Sequence, residues 1–275
     1  MLNERLADPL LPSDVRHGWT EGQKVRAAGY FSSLAARLAG EGAQVLVNGR
    51  TEARVQAAAA QIKHWHSGAT VRAVAADLGT AAGVARLVEV VKEVDILVNN
   101  LGIFEPIPFE KTGDETWLKF FEVNVLSGVR LSRQYLPMML KKNWGRIIFI
   151  SSESALQVPA EMIHYGMTKT AQIAVARGLA ELTAGTAVTV NSVLAGPTRS
   201  EGVETFLADL AKAGKTDVSA IEKEFFKSVR PSSLLKRFET PEEVAALTTF
   251  LCSPLASGTN GAAVRAEGGV VKSAF

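Results

Sequence analysis

The strongest constraint on the fold is a repeated change of period along the chain, from short β-branched runs to longer amphipathic stretches. Several short runs are apolar almost without interruption, which is typical of parallel strands covered on both faces. The strand-like runs are Ala43–Asn48, Ala69–Ala75, Val94–Asn99, Arg146–Ser151, Ala187–Leu194 and Ala262–Arg265. The helix-like stretches are Thr51–His64, Thr80–Glu93, Asp114–Lys142, Glu161–Thr183 and Pro241–Leu251.

This alternation with short connections predicts an α/β fold, a single Rossmann-like doubly wound parallel sheet with helices on both faces. The chain has 275 residues, which fits one large domain. The predicted sheet begins at Ala43, and Met1–Tyr30 offers no convincing strand before it. Such a sheet lacks its central first strand. We therefore divide the chain into an aberrant segment, residues 1–33, and a domain, residues 34–275.

Composition argues against several classes of protein. Thirty basic and twenty-eight acidic residues give a net charge of +2 with no concentrated basic block, so neither nucleic acid nor a membrane is expected as a partner. The single cysteine, Cys252, excludes an intrachain disulfide framework and a Cys-rich zinc site, and no metal is expected. We see neither a membrane-spanning run nor a signal peptide. The expected location is the cytoplasm.

The strongest chemical signal is Tyr165-Gly-Met-Thr-Lys169, which lies within a helical pattern. A spacing of four places the two side chains on one helix face, about one turn apart. A free tyrosine has a pKa near 10, and a neighbouring ammonium favours the phenolate. We therefore expect Lys169 to lower the pKa of Tyr165. Taken alone, the pair is also compatible with an aromatic ring packed on a lysine stem.

Three further positions place polar groups around this pair. Ser152 ends the buried run Ile147–Ser152, at the strand end where ligands of open α/β sheets bind, although a serine there can also cap a turn. Asn99 and Gly102 follow the preceding strand. Asn124 lies within a mostly apolar helical stretch, where asparagine is unfavourable and often marks a kink or a buried hydrogen bond.

Together these motifs resemble the short-chain dehydrogenase/reductase family, from about Leu34 to Gly269. Its 3-oxoacyl-thioester reductase branch is the most similar. The motifs that carry the resemblance are Asn99-Asn-Leu-Gly102, Asn124, Ser152, Tyr165 with Lys169, Ala195-Gly196, Thr240-Pro-Glu-Glu-Val, Phe250-Leu-Cys-Ser and Glu267-Gly-Gly.

The resemblance implies an NAD(P)-dependent oxidoreductase that interconverts a carbonyl and a secondary alcohol by a Ser-Tyr-Lys mechanism. Tyr165 is then the general acid–base, and Ser152 orients the substrate carbonyl. Lys169 lowers the tyrosine pKa and holds the nicotinamide ribose, and Asn124 anchors a water that relays protons to Lys169. Members of the family are homo-oligomers, which implies a tetramer or a dimer formed through the stretches Asp114–Lys142 and Glu161–Thr183.

The resemblance also indicates cofactor contacts, at Arg50, Asp77, Asn99, Gly102, Tyr165, Lys169 and Ser200, with Thr198 as a rival to Ser200. NADP(H) is favoured over NAD(H), because Gly49 replaces the carboxylate that selects NAD and Arg50 follows it. A guanidinium pairs well with a 2′-phosphate.

The substrate is a small carbonyl or hydroxyl compound that the sequence does not identify. Asn143 and Thr186 stand where acyl-carrier reductases commonly carry basic docking residues, which argues against an acyl-carrier partner. The charged stretch Ser200–Arg230 is expected to form a substrate lid. Its apolar residues either line a pocket or pack the lid onto the sheet: Phe206, Leu207, Phe225 and Phe226.

The N-terminus departs from the family pattern. The Thr-Gly-x-x-x-Gly-x-Gly motif should fall at Lys24–Phe31, where only Gly29 remains as a candidate cofactor contact. These glycines let the pyrophosphate approach the backbone and the following helix. The segment is either divergent or an out-of-frame translation of an ordinary gene. The alternative function is therefore a catalytically impaired pseudo-enzyme that has this fold and binds its cofactor weakly.

Overall fold

The computed structural model of the protein describes residues 32–274. Each predicted strand-like run coincides with a strand, and the ends differ by at most two residues. The strands are β1 Val45–Gly49, β2 Val71–Ala75, β3 Ile96–Asn99, β4 Gly145–Ser152, β5 Val188–Ala195 and β6 Ala263–Ala266.

Helices connect the strands, and the five predicted helical stretches are all present. The predicted stretch Asp114–Lys142 is divided, because a π-turn at Glu122–Leu126 separates α4 from α5. A second π-turn occupies Phe225–Val229. The helices are α1 Ser32–Gly40, α2 Glu52–Trp65, α3 Ala81–Val90, α4 Asp114–Phe121, α5 Ser127–Lys142, α6 Ile163–Glu181, α7 Glu201–Ala213, α8 Val218–Glu224 and α9 Pro241–Cys252.

All strand pairs are parallel, and they form two hydrogen-bonded groups. Strand β1 pairs with β2, while the other four follow the order β3-β4-β5-β6. The β3–β4 register places Asn99 opposite Phe149, and the β4–β5 register places Ser152 opposite Ala195. Among residues 32–274, no strand forms hydrogen bonds with both β1 and β3. This is the position in the sheet of the first strand that the sequence was expected to lack.

Two apolar cores cover the two faces of the strands. Successive residues of one strand alternate between them: Ile148 and Ile150 of β4 belong to the first core, and Ile147 and Phe149 belong to the second. Helices α1, α2 and α9 contribute to the first core, and α3, α5 and α6 to the second. The same alternation in β1 and β3 makes each core continuous across the two strand groups. The predicted Rossmann-like α/β fold, with helices on both faces, is confirmed.

A buried arginine holds the opposite end of β4. Arg146 is only 1% exposed, and its guanidinium donates to the backbone carbonyls of Ser253, Gly145 and Ala187 at 3.3, 2.9 and 2.9 Å. Its charged carbon lies 4.9 Å from the centre of the Trp144 ring. These contacts connect the start of β4 to the segment before β5 and to the end of α9. Arg146 therefore fixes the position of β4 from the end remote from Ser152.

Substitution of Arg146 tests this role. We expect Arg146→Met to lower the free energy of unfolding by about 3 kcal/mol, because hydrogen bonds to a charged group are worth about 1.5–3 kcal/mol each and buried carbonyls would lose their donors. Urea unfolding followed by circular dichroism gives the value. Arg72→Met, at an exposed position of β2, is the matched control and should change stability by less than about 0.5 kcal/mol. Equal effects of the two substitutions would contradict the assignment.

Candidate active site

The carboxyl ends of the parallel strands meet at one edge of the fold, where open α/β sheets bind their ligands. Strand β4 ends in Ser152, which is buried and 7% exposed. Its hydroxyl accepts a hydrogen bond from the Ser154 backbone N–H at 3.1 Å and donates to Oε2 of Glu153. The Ser152 side chain also interacts with the Tyr165 phenol, which lowers the pKa of that phenol. The strand end and the helix thus bring the two predicted hydroxyls together.

Tyr165 and Lys169 lie one turn apart near the start of α6. The Lys169 ammonium is 5.6 Å from the centre of the Tyr165 ring. The exposed ring of Phe104 packs edge-on against Tyr165, with the ring centres 6.4 Å apart. The predicted pair is therefore close in space as well as in sequence.

The expected direction of the Tyr165 pKa is wrong. Burial raises the pKa of the phenol well above its usual value near 10, and the negative charge of Glu153 adds to this rise. The Ser152 side chain and the positive charge of Arg230 lower the pKa, but by less than burial and Glu153 raise it. Desolvation of the phenol raises its pKa by more than the neighbouring lysine was expected to lower it. Tyr165 is consequently a neutral phenol across the physiological range.

Lys169 is also desolvated, at 5% exposure, and burial lowers the pKa of its ammonium to about 8. Nζ donates to the Ile150 carbonyl at 2.9 Å and to Oε1 of Gln172 at 3.3 Å. An ammonium has three N–H donors, so one remains. Gly102 lies next to it, since a Cβ at this glycine would be 3.4 Å from Nζ. The glycine therefore leaves space beside the lysine.

Asn124 lies in the first π-turn and is 1% exposed. Its amide group bonds both backbone groups of Ile103, at 2.8 and 3.0 Å, and donates to the Thr168 hydroxyl at 3.0 Å. Its backbone carbonyl accepts from Nε2 of Gln172 at 2.6 Å. Asn124 thus connects the loop after β3 to α6, and Gln172 bridges Asn124 and Lys169. The resemblance had placed a water between them.

The ends of β1 and β2 carry the predicted adenosine contacts. Arg50 and Asp77 are exposed, and one Asp77 oxygen accepts from the Gly79 backbone N–H at 3.0 Å. The buried Asn48 side chain donates to the carbonyls of Val74 and Ala76, at 3.0 and 3.1 Å, and so joins the two strand ends.

The remaining predicted contacts lie along the same edge, except one. The Asn99 amide nitrogen donates to the Ser132 hydroxyl at 3.3 Å, whereas its buried oxygen has no partner among the described residues. Ser200 caps α7 by accepting from the Val203 N–H, and its rival Thr198 donates to the Gly196 carbonyl. Gly29 lies outside the described residues.

The segment from Ser200 to Arg230 forms α7, α8 and the second π-turn, as an excursion between β5 and α9. Leu207 and Phe226 are buried in a small apolar cluster with Phe238, and Phe225 packs against this cluster. The side chain of Phe206 lies outside the described part. The structure thus favours packing over a pocket-lining role for Leu207 and Phe226, although they pack in a separate cluster and not in the cores of the sheet.

Sequence reasoning missed four polar residues of this edge, Asn48, Glu153, Gln172 and Arg230. All four are at most 8% exposed. A signal was available for two of them, because Glu153 follows Ser152 directly and Gln172 lies one turn beyond Lys169. Arg230 gave no such signal, since its partners are distant in sequence.

Among residues 32–274, no helix is both long and apolar enough to cross a membrane. No group of three or more His, Cys, Asp or Glu side chains in the same range could hold a metal ion.

Comparison with known proteins agrees with the fold and the motifs. A family model described as enoyl-(acyl carrier protein) reductase matches residues 29–271. The uncharacterized oxidoreductase YvaG of Bacillus subtilis (strain 168) is 49% identical over 90% of this chain and 94% of its own length. D-beta-hydroxybutyrate dehydrogenase of Cupriavidus necator is 31% identical over 89% of this chain and 94% of its own length.

A solved structure gives the same result. L-sorbose reductase of Gluconobacter frateurii, complexed with NADPH and L-sorbose, matches with a TM-score of 0.85 and 29% identity. The match covers 91% of this chain and 98% of the reductase. Because the named relatives are oxidoreductases, the pseudo-enzyme alternative is not favoured. With its fold, its ordered motifs and its full-length relatives in agreement, this chain belongs to the short-chain dehydrogenase/reductase family and is an oxidoreductase.

Proposed function

We propose that the protein catalyses the NADP(H)-dependent interconversion of a small carbonyl compound and its secondary alcohol, with Ser152, Tyr165 and Lys169 as catalytic residues. The observation that carries this proposal is the Lys169 ammonium 5.6 Å from the Tyr165 ring, with the Ser152 side chain near enough to the phenol to lower its pKa. Two hydroxyls and a cation thus converge at the ligand-binding edge. The names of two relatives, D-beta-hydroxybutyrate dehydrogenase and L-sorbose reductase, support a substrate that is a carbonyl compound or an alcohol.

The hydroxyls fit the needs of a carbonyl oxygen that gains negative charge during reduction. When bound, NADP(H) supplies the hydride in reduction and accepts it in the reverse direction. Tyr165 would donate a hydrogen bond to the substrate oxygen and transfer its proton to it. The single proton of the Ser152 hydroxyl, which is donated to Glu153 without substrate, would turn to the same oxygen when substrate binds. Since its raised pKa keeps the phenol protonated, Tyr165 is ready to act as an acid near neutral pH.

The residues at the edge also fit the cofactor. Lys169 retains one N–H donor beside Gly102, where a ribose hydroxyl can accept it. Asn99 presents a buried oxygen that lacks a donor among the described residues. Asn124 and Ser200 would contribute by positioning the loop after β3 and the start of α7. We therefore assign the nicotinamide half of the cofactor to this part of the edge.

The preference for NADP(H) over NAD(H) rests on the end of β1. A Cβ at Gly49 would lie 2.9 Å from Cγ1 of Val55, so a carboxylate there would require the Val55 side chain to move. The next residue, Arg50, is exposed and carries the charge that a 2′-phosphate needs. Asp77, at the end of β2, would contact the adenine.

The organisation of the chain completes the proposal. Residues 34–275 form the catalytic domain, to which α1 already belongs from Ser32, and the stretch from about 200 to 230 is the substrate lid. Exposed Leu118 and Phe121 on α4 support a homo-oligomer, a tetramer or a dimer, because large apolar side chains favour burial. The free, buried Cys252 is compatible with the reducing cytoplasm.

The test of this function is NADPH oxidation with three carbonyl probes, L-sorbose, acetoacetate and acetoacetyl-coenzyme A, with NADH as the cofactor control. We expect Tyr165→Phe to lower kcat by about 10²–10⁴-fold on any probe that is reduced, because it removes only the proton donor. Its circular dichroism spectrum should be unchanged.

Tyr135→Phe is the matched control for this substitution. It removes the same atom from a buried tyrosine whose hydroxyl donates to the Val91 carbonyl at 2.8 Å, away from the strand ends. It should reduce stability but leave kcat within about twofold. The proposal fails if Tyr165→Phe retains more than a tenth of the parent activity, or if the parent protein reduces no probe and binds neither cofactor.

The pH dependence of reduction follows from Lys169. Its ammonium is present below about pH 8 and is lost as the pH rises through that value. We expect kcat/KM to be flat at lower pH and to fall above about 8. In Lys169→Arg the fall should move to above pH 10, because a guanidinium stays protonated. Stopped-flow NADPH oxidation measures both profiles, and a fall at the same pH in both proteins would exclude Lys169 as its cause.

A rebuilt N-terminus tests the missing glycine motif, which lies outside the described residues. We expect replacement of Lys24–Phe31 by Thr-Gly-x-x-x-Gly-Ile-Gly, after an added apolar strand, to tighten NADPH binding about a hundredfold or more. Two restored hydrogen bonds to the pyrophosphate, at about 1.5–3 kcal/mol each, account for this gain. Fluorescence titration gives both dissociation constants. Equal constants would show that another segment binds the phosphates.

A further inference from the structure

A buried carboxylate lies directly beside the candidate catalytic serine. Glu153 is 4% exposed and uses both of its oxygens. Oε2 accepts from the hydroxyls of Ser152 and Ser154 and from the Ser154 backbone N–H. Oε1 accepts from Nε of Arg230 at 2.8 Å. One carboxylate thus joins the end of β4 to the end of the second π-turn.

Arg230 is the final residue of the lid, residues 200–230. Its side chain is 9% exposed, and Nη1 also pairs with Oε1 of Glu161 at 3.2 Å. Burial alone lowers the pKa of this guanidinium, but Glu153 and Glu161 together raise it above its ordinary value. The arginine is therefore a fully compensated charge and is not available as a cation for a substrate.

The lid has little apolar attachment to the body of the protein. Two of its buried side chains, Leu207 and Phe226, form a cluster with Phe238 that is distinct from the two cores around the strands. Phe238 lies just outside the lid, and Glu222 of α8 pairs there with Arg199 and accepts from the Phe238 backbone N–H at 3.1 Å. These contacts join the lid to the segments that flank it in sequence, whereas the buried ion pair joins it to the end of β4 beside Ser152.

We propose that Glu153 is a positioning residue for Ser152, and that its ion pair with Arg230 is the latch that holds the lid closed. Glu153 fixes the position of the Ser152 oxygen and accepts its proton until substrate replaces the carboxylate as acceptor, and Arg230 fixes Glu153. Closure of the lid and alignment of the serine are therefore a single event. This inference rests on the proposed function for the role of Ser152, while the latch itself is a property of the fold.

The charges around Tyr165 provide a readout that distinguishes positioning from general stability. Glu153 raises the pKa of Tyr165 and Arg230 lowers it, so each charge offsets the other at the phenol. Glu161 also pairs with Arg230. The negative charge of Glu153 also acts on Lys169, where it favours the ammonium. Removal of Glu153 leaves Arg230 uncompensated, and removal of Arg230 leaves Glu153 uncompensated. The two substitutions must therefore move the tyrosine in opposite directions.

Kinetics of Glu153→Gln and Arg230→Met test the positioning role, with the probe carbonyl that the parent protein reduces best and its alcohol. We expect Glu153→Gln to lower kcat at least tenfold, with the NADPH dissociation constant unchanged within twofold. In alcohol oxidation, the pH limb that reports the phenolate should move to lower pH in Glu153→Gln and to higher pH in Arg230→Met. A kcat within twofold of the parent, or shifts in the same direction, would overturn the role.

Hydrogen–deuterium exchange of the protein without substrate tests the latch independently of activity. Amides of residues 218–229 should exchange at least tenfold faster in both variants. Arg237→Met is the matched control, since the exposed Arg237 pairs with Glu243 outside the lid, and it should leave this exchange unchanged. Unchanged exchange in Glu153→Gln and Arg230→Met would overturn the latch.

A double variant, Glu153→Gln with Arg230→Met, guards against global unfolding, because it removes both buried charges of the pair, and Glu161, which also loses its partner, is 44% exposed. It should melt within a few degrees of the parent and still exchange rapidly at residues 218–229. Slow exchange in a folded double variant would also overturn the latch. If the parent reduces no probe and binds neither cofactor, the proposed function fails, while the exchange rates still decide whether the ion pair holds the lid.

Discussion

Parallel pairing of β4 between β3 and β5 is the constraint on which the site depends. All eight residues of β4 are buried, and its register with both neighbours is fixed by side chains that alternate between two cores. A shift by one residue would exchange the two faces, which the apolar residues on both sides oppose. The strand register therefore brings Ser152 to the same edge as Asn99 and Ala195, independently of the hydrogen bonds of its side chain. The chemistry of the site is placed there by the packing of residues that have no chemical role.

The sequence predicted the parts of this molecule that depend on local pattern. The six strands follow from β-branched apolar runs, and Ser152, Tyr165 and Lys169 follow from motifs at fixed spacings along one strand and one helix. Asn124 indicated a kink or a buried hydrogen bond within the stretch Asp114–Lys142, but the π-turn itself could not be predicted, because it depends on the contacts of Asn124 with the loop after β3 and with α6. Arg230 was missed for the same reason, since the carboxylate that it meets is 77 residues away.

The error in the Tyr165 pKa has an instructive cause. Proximity of a cation favours the phenolate, but both groups lie in a poorly solvated site, and desolvation favours the neutral form of each. The pKa of the Tyr165 phenol is therefore raised, and the pKa of the Lys169 ammonium is lowered to about 8. Burial cannot be read from a spacing of four residues, whereas the partner can. The resulting neutral acid is suited to protonating a product oxygen, and the reverse reaction must first remove its proton.

The distribution of the predicted cofactor contacts over two strand groups has a mechanical consequence. The two apolar cores pack across both groups of the described strands. Arg50 and Asp77 follow β1 and β2, whereas Lys169 is tied to β4 through the Ile150 carbonyl. A dinucleotide that touches all three residues would bridge the two groups. Such a ligand would add a non-covalent cross-link to the packing of the cores.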